Sequence, residues 1–201
     1  MRVGFFRHSR NQGVWQTCSS SAAAPQGCLP ASLRPENGLE TVVFDTDDTW
    51  THAAHLFNYL GTRSISGDEF LEVARGQVAD QGADIRYDEE VTGVTQTDGG
   101  FTVTTTDDEY DADYVVLATG ADRDLADDIG CAFTDEETVA VDVTMETSVE
   151  DVYATGAMVR AEEWQAIISA GDGAAAALNI LSKEKGDHFH DFDTPDDVPD
   201  I

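Results

Sequence analysis

The stretch Tyr114-Val115-Val116-Leu117-Ala118-Thr119-Gly120-Ala121 is a short run of β-forming residues that ends in a small-residue turn. Bulky side chains build the strand, and Ala118, Thr119 and Gly120 then let a backbone or a ligand come close. The pattern returns at Val152-Tyr153-Ala154-Thr155-Gly156-Ala157. Both Ala-Thr-Gly turns are candidate ligand contacts, because units of strand, turn and helix with a parallel sheet bind ligands at the carboxyl ends of their strands.

Regular signals begin near Asn37-Gly38, which looks like a helix C-cap. Residues 41–44 predict a buried strand closed by Asp45, followed by the acid-rich loop Thr46-Asp47-Asp48-Thr49. Asp68 is placed to cap a helix running to Gln81, with Phe70, Leu71, Val73, Ala74 and Val78 on one face and Gly82 ending it. Residues 84–87 form a short expected strand, and 91–94 and 101–106 alternate around Asp98-Gly99-Gly100, a hairpin signature. Residues 110–117 enter the central strand, and 139–143 and 152–155 are further strands. A long helix is expected over 164–181, with Ile167, Ile168, Ala170, Ala174, Ala177, Leu178 and Leu181 facing inward. Its Gly171, Gly173 and alanines 174–177 allow tight packing or a near ligand.

Charge divides the chain. Residues 1–36 carry four Arg and one acid, whereas the remainder carries 7 basic and 39 acidic residues, within an overall net charge of −29. Acids scattered over every segment suit a protein kept soluble in high salt, as in a halophile, where screening weakens their repulsion. Such a surface argues against nucleic acid as a partner. No run of apolar residues is long enough to span a membrane, and no secretory signal is evident, so a cytoplasmic location is expected. The cysteines Cys18, Cys28 and Cys131 form no CxxC, which gives no support to a zinc site or a dithiol centre. The segments expected are 1–36, anomalous in composition, then 37–185 as one domain, then 186–201 as a loose acidic tail.

An acid closing the second strand of such a fold can accept both hydroxyls of a ribose, and Asp45 sits there with Asp47 nearby. The acidic strand end, the hairpin insertion, the two Ala-Thr-Gly turns and the final helix with Ser169-Ala170-Gly171-Asp172-Gly173-Ala174 occur in a fixed order. In that order, and in Asn58-Tyr59-Leu60-Gly61 through Ile65-Ser66-Gly67-Asp68-Glu69-Phe70, the chain resembles the FAD domain of the thioredoxin-reductase-like flavoproteins over residues 37–185. The resemblance implies an α/β, Rossmann-like three-layer FAD/NAD(P)-binding domain with a parallel central sheet and an inserted β-hairpin or meander. It implies FAD as cofactor, NAD(P)H as a candidate electron donor, a redox protein as a candidate partner, and a homodimer as a candidate assembly. By position, Val91 would lie near the adenine, and Ala118, Thr119 and Gly120 near the dinucleotide. Gly156 and Ala157 would meet the ribityl–phosphate region, and Trp164, Gln165 and Ala166 the flavin ring, where a helix N-terminus favours developing negative charge.

Three departures are visible. The dithiol motif is absent, about thirty residues between Gly120 and Val152 leave no room for a second nucleotide domain, and Ala157 replaces the family's acid after the last strand. A fourth lies at the front, where 1–36 contain no GxGxxG to hold a pyrophosphate. With GC-rich codons read one nucleotide earlier, residues 15–33 would encode Ala-Asp-Val-(Phe/Leu)-Val-Val-Gly-Gly-Gly-Pro-Ala-Gly-Leu, the missing strand and glycine loop. Residues 15–36 are therefore read as a frame-shifted fingerprint; the alternative is an unrelated disordered extension. His52 and His55 could face a flavin or a substrate, bind a metal that lacks a third ligand, or serve local packing. No nucleophile or general base stands out. The expected function is an FAD-dependent oxidoreductase without the dithiol centre; the alternative is a non-catalytic nucleotide- or partner-binding protein that keeps the fold.

Overall fold

Tyr114 and Val116 point to one face of a sheet and Val115 and Leu117 to the other, and all four are buried. A strand buried on both faces belongs to the middle of a layered domain. The structure, a computed structural model, describes residues 13–18 and 39–189. Its central sheet is five-stranded and parallel. The strands are β1 (Gly13–Cys18), β2 (Glu40–Asp45), β5 (Asp84–Tyr87), β9 (Tyr114–Leu117) and β10 (Val152–Ala154), in the spatial order β10-β9-β1-β2-β5.

The two faces are covered differently, which produces three layers. On one face, Tyr114, Val116 and Tyr153 pack with Leu39 and with Ala176, Ala177, Ile180 and Leu181 of the last helix, α3 (Ala166–Lys185). Val43 lies on the same face, as the register Val43–Gln16–Val116 requires, and meets Val78 of α1 (Gly67–Asp80). On the other face, Phe44, Val115, Leu117, Val152 and Ala154 join one core with a three-stranded antiparallel meander. That meander is β6 (Val91–Thr97), β7 (Gly100–Thr105) and β8 (Glu109–Ala112). The smaller elements are an antiparallel pair, β3 (His55–Leu56) with β4 (Ile65–Ser66), a 3₁₀ turn Trp50–Ala53, and α2 (Asp124–Asp128). This is the Rossmann-like α/β fold of FAD/NAD(P)-binding domains.

The structure corrects several expectations. Gly13–Cys18, inside the segment set apart for its anomalous composition and given no strand of its own, is the middle strand of the sheet. Backbone groups on both of its edges pair with neighbours, and that ladder outweighs a weak local signal. The helix expected to be capped by Asp68 is capped instead by Ser66, whose Oγ accepts the Glu69 N–H at 3.3 Å; Asp68 lies in the first turn. No strand forms over 139–143, where Val139 makes only an isolated bridge to Phe133. The expected strand 110–117 is divided at Asp113. In α3 the buried stripe is Ser169, Asp172, Gly173, Ala176, Ala177, Ile180 and Leu181; Ala177 and Leu181 match the expected face, whereas Ile168, Ala170, Ala174 and Leu178 are half-buried and Ile167 is exposed. Two positions of the buried stripe are polar, so a hydrophobic criterion could not find them. A Cβ on Gly171 would meet nothing within 4 Å, so that glycine marks no close approach. The expected cap at Asn37-Gly38 and the tail beyond 189 fall outside the described residues.

Candidate functional site

Strand order reverses at β1, and in such sheets the crevice above the carboxyl ends at the reversal is where ligands bind. The two Ala-Thr-Gly turns stand side by side there. Gly120 and Gly156 have φ of 71° and 72°, a backbone region that favours glycine, so each strand turns sharply as it leaves the sheet. The turns are joined by hydrogen bonds. Thr155 donates its N–H (3.0 Å) and its Oγ (3.3 Å) to the Leu117 carbonyl. Arg123 adds a second tie from the loop after β9. Its Nε donates to the Met158 carbonyl at 3.0 Å, Nη1 to Ala121 at 3.1 Å and Nη2 to Ala157 at 3.4 Å. Below them lies Asp172, a buried acid on α3. One oxygen accepts the Gly156 N–H at 3.2 Å and the other pairs with Arg160.

A cavity of about 280 Å³ opens beside the second turn. It is bounded by Ala157, by the start of α3 (Gln165, Ala166 and Ser169, with Trp164 just before) and by the crossover after β2, including Trp50, His55 and Asn58. The expected residues His55, Ala157, Trp164, Gln165 and Ala166 therefore meet in one place. Asn58 Nδ2 donates to Gln165 Oε1, holding the crossover against the helix, and the Trp50 and Trp164 rings lie 5.3 Å apart. Gln165 makes no side-chain cap to the helix, so the first turn of α3 keeps N–H groups without a side-chain partner. Small-molecule sites run to roughly 300–1,000 Å³, so this cavity suits a ring system rather than a whole dinucleotide.

The acid closing β2 lies elsewhere along the crevice. Asp45 is buried; its Oδ1 accepts the Asp47 N–H at 2.8 Å and its Oδ2 the Arg75 Nε at 2.8 Å. Arg75 also reaches Asp47, and this hydrogen bond holds the Asp47 carboxyl below the usual carboxylate range. His52 bridges Asp47 (3.0 Å) and Asp68 (2.6 Å). Its pKa is raised, chiefly by the hydrogen bond to Asp68. The two histidines are thus separated in role: His52 faces carboxylates, while His55 lines the cavity with Nε2 2.7 Å from Ser64 Oγ. Val91 lies in neither group; its side chain is buried in the core shared with Phe44 and Val103. Burial pushes the Cys131 thiol up, away from the reactive range. Among the described residues no group of three or more His, Cys, Asp or Glu could hold a metal, and no helix is long and apolar enough to cross a membrane.

Arg75, Arg123, Ser169 and Asp172 were not singled out from the sequence. A signal existed for the arginines: the whole chain has only 11 basic residues against 40 acids, so each cation is scarce. Ser169 and Asp172 stand out only as part of the final-helix motif Ser169–Ala174; as single residues they look like interruptions of an alanine-rich helix.

Comparisons with known proteins agree with this fold. The profile of the pyridine nucleotide-disulphide oxidoreductases matches residues 59–173, more than half of the chain. No curated protein matches. Among solved structures, thioredoxin reductase from T. acidophilum is similar at 17% identity and a TM-score of 0.74, over 86% of this chain and 98% of that one. A thioredoxin reductase from Gloeobacter violaceus is similar at 18% identity and a TM-score of 0.74, over 91% and 98%. A ferredoxin-flavin thioredoxin reductase from Clostridium acetobutylicum is similar at 16% identity and a TM-score of 0.69, over 87% and 100%. At such identities the likeness is one of fold.

Proposed function

Because the chain belongs to the pyridine nucleotide-disulphide oxidoreductase family, we propose that it is an FAD-dependent oxidoreductase resembling a thioredoxin reductase without the dithiol centre. The observation that carries this reading is the cavity that places Ala157 of the second Ala-Thr-Gly turn next to the uncapped start of α3. Flavin, when bound, supplies the electron chemistry. The first turn of α3 would place its partial positive charge at the cavity, where it would favour negative charge on a bound ring. Trp50 and Trp164, both nearly half exposed beside the cavity, would cover one side of a bound ring, and Asn58 and Gln165 fix the wall between crossover and helix. Gly120 and Gly156 would let the backbone approach the chain that links ring to phosphate, with Ala118 and Thr119, both buried, supporting the first turn from behind. Asp45, with Asp47, would hold the ribose of the adenosine half, and the backbone at the start of β6, at Val91, would flank the adenine.

The electron donor in this reading is NAD(P)H or a reduced protein partner, acting on a domain whose turns at Gly120 and Gly156 are joined by a short connection. A homodimer and a cytoplasmic, high-salt setting belong to the same proposal. The frame-shifted reading of 15–36 also stays a proposal. A pyrophosphate needs a run of backbone N–H groups, and the Ser/Ala/Pro segment there offers no glycine loop. The nucleotide sequence tests it, and the idea fails where no single-base change near the two junctions restores the glycines.

The second reading is a nucleotide- or partner-binding protein without catalysis, favoured by the absent dithiol motif and by Ala157 in place of an acid. Purification of the full chain separates the two. A yellow protein bleached by NADH or NADPH without oxygen supports the oxidoreductase. A colourless protein that FAD neither colours nor stabilises refutes it.

A further inference from the structure

Arg75 holds the acid that closes β2. Its guanidinium sits on α1, with Nε on Asp45 Oδ2 at 2.8 Å, Nη2 on Asp47 Oδ1, and its centre 5.8 Å from the Tyr87 ring at the end of β5. Three elements around the adenosine end of the crevice therefore meet on one side chain. Asp45 is 6% exposed, and a carboxylate so buried needs charge pairing and hydrogen bonds to hold its place. Each carboxylate oxygen accepts about two hydrogen bonds. One site on Oδ1 is filled by the Asp47 N–H and one on Oδ2 by Arg75. Among the described residues these are the partners of the two oxygens, which leaves one acceptor direction on each, and a ribose diol presents two donors. Arg75 and the Asp47 N–H thus leave the carboxylate turned and half-satisfied in the way a vicinal diol requires. The pairing also offsets part of the charge of Asp45 and Asp47.

We propose that Arg75 is a positioning residue for the ribose of an adenosine ligand: it orients Asp45 so that the two open acceptor directions face the 2′- and 3′-hydroxyls. The inference rests on reading Asp45 as the ribose acid. It reaches beyond that reading in assigning selectivity for the adenosine half to a side chain on α1.

The test uses the full chain as wild type, Arg75→Gln and Arg75→Lys. ADP is titrated by calorimetry, FAD and FMN by flavin fluorescence, and thermal midpoints are recorded for each variant. Arg75→Gln is expected to weaken ADP and FAD about tenfold and leave FMN, which lacks the adenosine ribose, unchanged; Arg75→Lys is expected to recover part of the loss. ADP and FAD binding unaltered in Arg75→Gln overturns the inference. So does an equal loss of FMN, which would mark a structural role. Wild type that binds FMN but not ADP also overturns it, while sparing the flavin reading. Wild type that binds ADP but no flavin refutes the flavin reading alone, and the ADP titrations still decide Arg75. Wild type that binds none of the three ligands overturns both.

Discussion

Replacing Gly67 by Ala should unfasten the crossover that forms one wall of the cavity. Gly67 opens α1 directly beneath the 3₁₀ turn Trp50–Ala53 and donates its N–H to the Ala54 carbonyl at 3.0 Å. A Cβ there would stand 1.6 Å from the Thr51 carbonyl oxygen, 2.6 Å from its carbon and 3.2 Å from the Ala54 oxygen. All three atoms are backbone, so no rotamer change relieves the overlap, and helix and turn must separate. Overpacking costs about 1–3 kcal/mol, and a lost hydrogen bond adds about 1 kcal/mol. The expected destabilisation is therefore about 2–4 kcal/mol. For a domain of this size each kcal/mol lowers the melting temperature by about 2–4 °C, so Gly67→Ala should melt roughly 4–16 °C below wild type. Because Thr51 and Trp50 line the cavity, the variant should also lose flavin binding and shift its tryptophan fluorescence. Calorimetry or circular dichroism at fixed protein concentration measures the first effect. A variant that melts within about one degree of wild type (a quarter of the smallest shift above) would refute the close approach of α1 to the turn.

Asp172→Ala should destabilise by about 2 kcal/mol, less than the 3–5 kcal/mol of a fully buried pair because Arg160 is one-third exposed; urea unfolding checks the value, and Asp172→Asn should recover part of it. Arg123→Gln removes two carbonyl ties between the turns, to Met158 and Ala157, and a third within its own loop, to Ala121; it should cost about 1–3 kcal/mol and weaken FMN and FAD alike, in contrast to Arg75→Gln. His52 gives a pH dependence. Its folded pKa lies above the unfolded value of 6.5, so its contribution is complete below about pH 6.5 and is lost as pH rises through the raised value. His52→Gln should therefore lower the urea midpoint at pH 5.5–6, relative to wild type, and by less at pH 8.5 (both values chosen about the His reference), and added salt should shrink the difference. A variant whose deficit stays constant with pH would contradict the bridge to Asp47 and Asp68.

Strands buried on both faces declared themselves in the sequence. Val115, Val116 and Leu117 have no polar side to hide, and the Asp98-Gly99-Gly100 turn separates β6 from β7 by its own chemistry. The residues at their carboxyl ends followed, because small residues after a strand have few other uses. What stayed hidden depends on contacts distant in sequence. Gly13–Cys18 forms its ladder with partners that begin at residues 40 and 114, so its neighbours, and not its composition, make it a strand. Ser169 and Asp172 are buried because Gly156 and Arg160 come to meet Asp172 and because the cavity wall needs Ser169. His52 and His55 lie three residues apart, yet the turn Trp50–Ala53 ends between them and sends one to the carboxylates and the other to the cavity.

The place of β1 in the sheet governs how the chain can assemble. β2 and β5 pair with each other, as do β9 and β10, but only β1 bridges the two pairs. The parallel sheet therefore cannot grow outward one strand at a time from a local hairpin. Residues 13–18 must be captured between partners that begin 27 and 100 positions later (Gly13 opposite Glu40, Val14 opposite Tyr114). Contacts so remote in sequence slow folding, because a long loop must close before any ladder bond rewards it. The antiparallel meander, with its near-neighbour pairings, is placed to form first and wait. The insertion of this one six-residue strand both closes the longest loops of the parallel sheet and completes the crevice at its carboxyl end.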